Sequence, residues 1–135
     1  MRYLAIDLGD KRTGLATGDD VTGIVSPVGM TETTDPDLRL RKIIDAIAEH
    51  LPDQLIVGIP YNMDATPGPA ARKAQQFADQ LAEATGLTVH RADERLTSYQ
   101  ADDAMKQSGL THKQKKQRRD ALAAAAILRD FLAAR

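Results

Sequence analysis

A chain of 135 residues with 42% hydrophobic and 27% charged content has the size and composition of one folded domain, which excludes a disordered or fibrous chain and predicts a single domain over residues 1–135. The absence of cysteine excludes a disulfide framework, a thiolate metal site and a thiol nucleophile, so any metal would be held by oxygen or imidazole, which favours Mg²⁺ or Mn²⁺. A net charge of −1 lacks the strongly basic balance of many nucleic-acid binders. Its distribution is uneven, however: residues 113–119 read Lys-Gln-Lys-Lys-Gln-Arg-Arg, and acidic residues gather in 31–53 and 93–103, so one basic and one acidic face are expected. No apolar run approaches the roughly 18 residues that span a bilayer, and Asp7 interrupts the first apolar stretch before a signal-peptide core could form. No membrane association and a cytoplasmic location are the expectations.

In chain order, residues 2–8 form a strand, and a period of two places Tyr3, Ala5 and Asp7 on one face with Leu4, Ile6 and Leu8 on the other. Gly9-Asp10-Lys11-Arg12 has turn chemistry, residues 13–17 return as a second strand, and residues 23–30 make a third, giving an antiparallel meander. Thr34 or Asp35 caps a helix with Pro36 in its first turn and Leu40, Ile43, Ile44, Ile47 and Leu51 on one face. Residues 54–59 are nearly continuously apolar, as in a strand covered on both faces, and Pro60 ends it. Thr66-Pro67 starts the next helix, with Ala70, Ala74, Phe77, Ala78 and Leu81 inward and Gly86 beyond its end.

Residues 88–91 are a short fifth strand. Thr97 with Gln100 and Thr111 with Gln114 have capping-box spacing, so two more helices begin there, the first running out before Gly109. The last helix carries Ala121, Ala124, Ala125, Leu128, Phe131 and Leu132 as a small-residue stripe that allows close approach to a sheet. The order βββαβαβαα predicts an α/β fold: a mixed five-stranded sheet, an antiparallel meander plus parallel strands, with helices on both faces.

Three acids invite a chemical reading. Asp7 ends an apolar strand, where a carboxylate needs a cation or several donors to compensate it; the alternative is a strand-end acid accepting hydrogen bonds from the turn at residues 9–12. Asp93-Glu94-Arg95 follows the fifth strand, at the edge where open α/β sheets build their sites. Asp120 lies one turn before Ala124 and projects near the sheet-facing stripe, with a salt bridge to a nearby Arg or Lys as the plainer account. His50, His90 and His112 have no metal-ligand spacing and are assigned no role.

Four ordered blocks give these acids a context: Ala5-Ile6-Asp7-Leu8-Gly9-Asp10-Lys11-Arg12-Thr13-Gly14, Val57-Gly58-Ile59-Pro60-Tyr61-Asn62-Met63-Asp64, Asp93-Glu94-Arg95-Leu96-Thr97-Ser98, and Asp120 before the Ala-rich run at 123–128. On these residues the chain resembles the YqgF family, also called RuvX, of the ribonuclease H-like superfamily, over nearly its whole length. One departure is Ala65, where the pattern would carry glycine. The resemblance implies a ribonuclease H-like fold in which Asp7, Glu94 and Asp120 converge to hold two divalent ions, Asp7 bridging them, with Asp93 as a reserve ligand. The implied activity is phosphodiester hydrolysis leaving a 5′-phosphate and a 3′-hydroxyl.

Lys11, Arg12 and Arg95 flank these acids and either contact phosphate oxygens or pair with the acids themselves. Lys115, Lys116 and Arg118 either track a nucleic-acid backbone or form a solvated helix turn. Asn62 and Asp64 either line the same cleft or shape a turn.

The resemblance suggests a role in processing the 5′ end of precursor 16S ribosomal RNA, the favoured substrate, while kinship to junction resolvases suggests branched DNA. The aromatics Tyr3, Tyr61, Tyr99, Phe77 and Phe131 form no evident stacking platform, so recognition would rest on backbone and shape. Monomer and homodimer both remain open, since resolving a junction requires two sites in a symmetric dimer. Two other classes compete. A sugar-kinase or actin-like ATPase lobe shares the Asp7-Leu8-Gly9 turn, but such proteins close two lobes on a nucleotide and this chain holds one. A noncatalytic RNA-binding or ribosome-associated module could keep the fold, against which stands the intact carboxylate trio.

Overall fold

A computed structural model describes the backbone of residues 1–96 and 112–135 and the side chains of 1–95 and 119–135. Strand β1 (Arg2–Leu8) pairs antiparallel with β2 (Arg12–Asp19), and β2 pairs antiparallel with β3 (Val25–Glu32). On its other side β1 pairs parallel with β4 (Gln54–Ile59), and β4 with β5 (Val89–Asp93), giving the order β3-β2-β1-β4-β5. This is the expected mixed five-stranded sheet, and the apolar run of β4 is buried because it lies between two strands and under helices on both faces.

Helices α1 (Pro36–His50) and α2 (Pro69–Thr85) cover one face, where Leu4, Ile6, Leu15, Leu55, Val57 and Ile59 pack with Ile43, Ile47, Phe77 and Leu81. Helix α3 (His112–Ala133) covers the other, setting Ile127 and Leu128 on Tyr3, Ala5 and Ile56, and Ala124 and Ala125 on Ala16. Each large apolar side chain buried in these layers stabilises the fold by roughly 1.5–3 kcal/mol. The period-two reading of β1 is borne out: Tyr3 and Ala5 face α3, while Leu4 and Ile6 face α1 and α2. Among the described residues no helix is long and apolar enough to cross a membrane.

Several boundaries differ from expectation, each for a local reason. The strand expected at residues 23–30 runs instead over Val25–Glu32, because Asp19 accepts the backbone N–H of Val21 and Thr22, and Gly23 turns at φ +71°. Of the two candidate caps for α1, Asp35 serves: its carboxylate accepts the N–H groups of Asp37 and Leu38. Leu51 is a left-handed helix cap with 68% exposure, not part of the inner stripe.

Helix α2 starts at Pro69 after Gly68, not at Thr66-Pro67, because the Thr66 backbone and hydroxyl are held by Asp64 and Asn62. Its inner face accordingly begins with Ala71, and Ala70 is exposed. Gly86 ends the helix at φ +71°, as expected. β5 extends through Asp93, so of the acidic pair only Glu94 lies beyond the strand, in a single 3₁₀ turn (Glu94–Leu96). Ala65 stands at φ +71°, a left-handed conformation that glycine adopts more readily than alanine. The helix expected from Thr97 and the Thr111 cap fall outside the described residues.

Candidate active site

Asp7 is the last α3-facing residue of β1, after Tyr3 and Ala5. Its antiparallel partner on β2 is Gly14. On its other side, one step past the Ile6–Val57 pair, lies Gly58 of β4, which pairs with Ala92 of β5. The row across the sheet therefore reads Gly14, Asp7, Gly58, Ala92, and glycines flank the carboxylate.

Both glycines create room for another acid. A β-carbon on Gly14 would lie 1.9 Å from the carbonyl oxygen of Asp120, so α3 rests with its backbone directly on β2 at that residue. A β-carbon on Gly58 would lie 2.5 Å from Glu94 Oε1 and 2.8 Å from Ile127 Cδ1, so the Glu94 carboxyl fills the missing side chain's place. Glu94, in the 3₁₀ turn after β5, lies on the α3 side of the sheet, since the same missing β-carbon of Gly58 would meet both it and Ile127. Gly14 and Gly58 are the functional positions that a search for titratable groups passes over; glycine inside a strand, which weakens it unless something approaches closely, was the available signal.

The electrostatics follow from this packing. Burial pushes the Glu94 carboxyl up to about 9, helped by its hydrogen bond to Asp7 and by the charges of Asp7 and Asp93. At neutral pH Glu94 is accordingly protonated and donates to Asp7. Asp120 is also raised, first by burial and further by the charge of Asp7, against the opposing pull of Arg12. Arg12 donates from Nε to Asp120 Oδ2 at 2.9 Å, the salt bridge that the plainer account of Asp120 anticipated. The turn at residues 9–12 does not compensate Asp7: it closes on itself through Gly9 N–H to Arg12 O, at 2.9 Å.

The structure thus brings Asp7 and Glu94 into contact and holds Asp120 within electrostatic reach of Asp7. Among the described residues, no group of three His, Asp or Glu side chains is arranged to hold a metal ion as it stands. The donors still suit a hard divalent cation: all are carboxylate oxygens, and the proton between Glu94 and Asp7 occupies a place that a cation could take.

Arg95 grips Asp93, with Nη2 to Oδ2 at 2.6 Å, and reaches the Met63 carbonyl at 3.3 Å while lying over the Tyr61 ring. That contact holds Asp93 below the usual carboxylate range and ties the exit of β5 to the loop after β4. Lys11 pairs with Glu32 at 3.6 Å, both exposed. Asn62 donates to the Thr66 hydroxyl at 3.1 Å, and Asp64 accepts from the same residue, so both shape the loop. His90 bonds Gln54 at 2.6 Å. The side chains of Lys115, Lys116, Arg118 and His112 lie outside the described residues.

The sequence profile of the RuvX family, described as a Holliday junction resolvase, matches residues 1–134. A protein of Anaeromyxobacter sp. (strain Fw109-5) named "Putative pre-16S rRNA nuclease" is 39% identical over 132 residues, covering 98% of this chain and 96% of the relative. One of the same name from Opitutus terrae is 38% identical over 133 residues, covering 98% and 91%. Among solved structures, T. thermophilus RuvC in complex with a Holliday junction substrate aligns with TM-score 0.61 at 16% identity over 99% of this chain and 94% of that one. The Fowlpox virus Holliday junction resolvase aligns with TM-score 0.62 at 14% identity over the full length of both. At these identities the likeness is one of fold, the resolvase form of the ribonuclease H-like fold.

Proposed function

Because the chain belongs to the RuvX family, we propose that it is a metal-dependent endonuclease that hydrolyses phosphodiester bonds in the 5′-end processing of precursor 16S ribosomal RNA. The observation that carries this reading is the Asp7–Glu94 pair: two carboxyls in contact at a strand exit, one holding its proton up to about pH 9. Two carboxylates so close can both be ionised only if a cation takes the place of that proton.

Asp7, Glu94 and Asp120 are the ligands, and Mg²⁺ or Mn²⁺ is the ion that all-carboxylate donors favour. Divalent ions held by these carboxylates would supply a nucleophilic water at neutral pH and would stabilise charge on the phosphate oxygens. The chain's own part is placement. Gly58 lets Glu94 lie against Asp7, Gly14 seats α3 so that Asp120 overlooks the same strand end, and the Arg95–Met63 contact fixes the loop beside Glu94. Arg12, Lys11, Arg95 and Asn62 are the proposed phosphate and backbone contacts, together with Lys115, Lys116 and Arg118 of the basic run that precedes Asp120 in the sequence. Hydrolysis leaves a 5′-phosphate and a 3′-hydroxyl. Residues 1–135 act as one cytoplasmic nuclease domain, as a monomer or a homodimer.

Branched DNA is the second reading, favoured by the description of the family and by the Holliday junction resolvases that share the fold. One experiment separates them: cleavage of labelled precursor rRNA and of a four-way DNA junction with Mg²⁺ or Mn²⁺, by the wild type and by Asp7→Asn. Metal-dependent cutting of the RNA, lost in the variant, is the expected result, and preference for the junction would move the assignment to DNA. Tight binding without cleavage by either protein would leave a noncatalytic RNA-binding module.

A further inference from the structure

The ion pair between Arg12 and Asp120 has a consequence for the order in which the site assembles. Arg12 opens β2, and the hairpin beneath it is fixed by Gly9 N–H to Arg12 O at 2.9 Å and by Thr33 N–H to Lys11 O at 2.8 Å, so only its side chain is free to rearrange. That side chain uses Nε alone for Asp120; among the described residues its two Nη groups have no hydrogen-bond partner. The Asp120 side chain is 21% exposed, so losing its cation without a replacement would strand a largely buried carboxylate.

We propose that Arg12 is a stand-in cation that keeps Asp120 out of the metal site until a nucleic-acid phosphate draws the guanidinium away, so that Asp120 joins Asp7 and Glu94 only when substrate is present. The inference rests on the metal-dependent reading above and concerns its assembly. A guanidinium on Oδ2 and a divalent cation on Oδ1 of one carboxylate repel each other and divide its charge, so Asp120 holds an ion less tightly while Arg12 stays paired with it. In the free chain, metal capture by Asp120 would leave Arg12 unpaired beside a dication. A phosphate removes that penalty, because the planar fork of Arg12 pairs with its oxygens and Asp120 takes the ion, leaving every charge matched. Lys11 cannot do the same: its side chain is 65% exposed and its partner is Glu32.

Metal and nucleic acid must then strengthen each other's binding, by the same factor in either order. The test is Mn²⁺ binding to the full chain, followed by electron paramagnetic resonance of the free ion. It is run with and without a 5′-phosphorylated RNA oligonucleotide carrying the mature 5′ end of 16S rRNA. For the wild type, the RNA should tighten Mn²⁺ binding several-fold. Arg12→Gln should bind Mn²⁺ several-fold more tightly without RNA and gain little from adding it. Asp120→Asn, which tests the same point if Arg12→Gln folds poorly, should match wild-type Mn²⁺ affinity without RNA and lose the gain with it. The proposal is overturned if Asp120→Asn weakens Mn²⁺ binding equally in both conditions, or if a folded Arg12→Gln behaves as wild type. Wild type that binds no Mn²⁺ in either condition would instead remove the metal-dependent reading on which the proposal stands.

Discussion

Gly58 lies under Glu94: a β-carbon there would stand 2.5 Å from Oε1 and 2.9 Å from Cγ of the glutamate. The space left by one missing side chain on β4 is what allows the Glu94 carboxyl to reach Asp7. The clashing atoms belong to flexible side chains of Glu94 and Ile127, so an added methyl displaces them rather than the backbone.

Gly58→Ala should therefore fold with stability within about 1 kcal/mol of wild type, while the carboxyl is pushed from its place. Misplacement of a reacting group by about 1 Å costs on the order of 10²-fold in rate. The expected outcome is a normal thermal melt with metal-dependent cleavage lowered roughly 10²-fold. Unchanged cleavage would mean that the position of Glu94 does not matter.

The proton on Glu94 makes stability depend on pH in a stated direction. Below its ordinary value of 4.5 the group is protonated whether the chain is folded or not, and its contribution is fully present. From there up to about 9 the folded chain keeps a proton that the unfolded chain has released, so stability is lost as pH rises through this window. In chelator-treated protein the melting temperature should fall between pH 5 and 9 more steeply for wild type than for Glu94→Gln, whose amide can still donate to Asp7 without titrating. Parallel curves would show that the group is not held protonated. Metal binding in the same range should release a proton, which calorimetry in buffers of different ionisation enthalpy would detect.

Gly14 opposes Asp120 in a less forgiving way, since a β-carbon would lie 1.9 Å from the helix carbonyl oxygen and 2.4 Å from its carbon. Backbone must move to admit it. Gly14→Ala should destabilise the fold by about 1–3 kcal/mol, the range for overpacking, and should lower the denaturation midpoint without changing the denaturant slope. A variant as stable as wild type would mean that α3 does not bear on β2 at this residue.

How much of this was legible in the sequence depends on how far each signal reaches. The face of Asp7 followed from the period of a strand, and the Asp35 cap with Pro36 from a few adjacent residues, so both could be read locally. In Thr66-Pro67-Gly68-Pro69 either proline could open a helix, and the choice turned on Asp64 and Asn62 engaging Thr66. The site's partnerships lay further out of reach. Arg12 and Asp120 are 108 positions apart, and nothing local says that the arginine is bound to that acid. Gly58 and Glu94 meet because β4 and β5 lie side by side, a property of the sheet order rather than of either segment.

The loop after β4 offers the last test. Ala65 sits at φ +71°, a left-handed conformation that costs a residue bearing a β-carbon roughly 1–2 kcal/mol. The surrounding bonds hold it there: Ala65 N–H to Asn62 O at 2.9 Å, Asn62 N–H to Thr66 O at 3.0 Å, and Thr66 to Asp64. Glycine would relieve the strain but lose more conformational freedom on folding, about 0.5–1 kcal/mol. Ala65→Gly should thus stabilise the chain by a net of about 0.5–1 kcal/mol, a rise of a few degrees in melting temperature. Because Arg95 reaches the Met63 carbonyl of this same loop, the cleavage rate is expected to stay within about twofold if the loop keeps its shape. A lowered melting temperature would show that the conformation at residue 65 is unstrained, and a large loss of activity would show that the stiffness supplied by alanine, rather than the bonds around it, holds Arg95 beside Glu94.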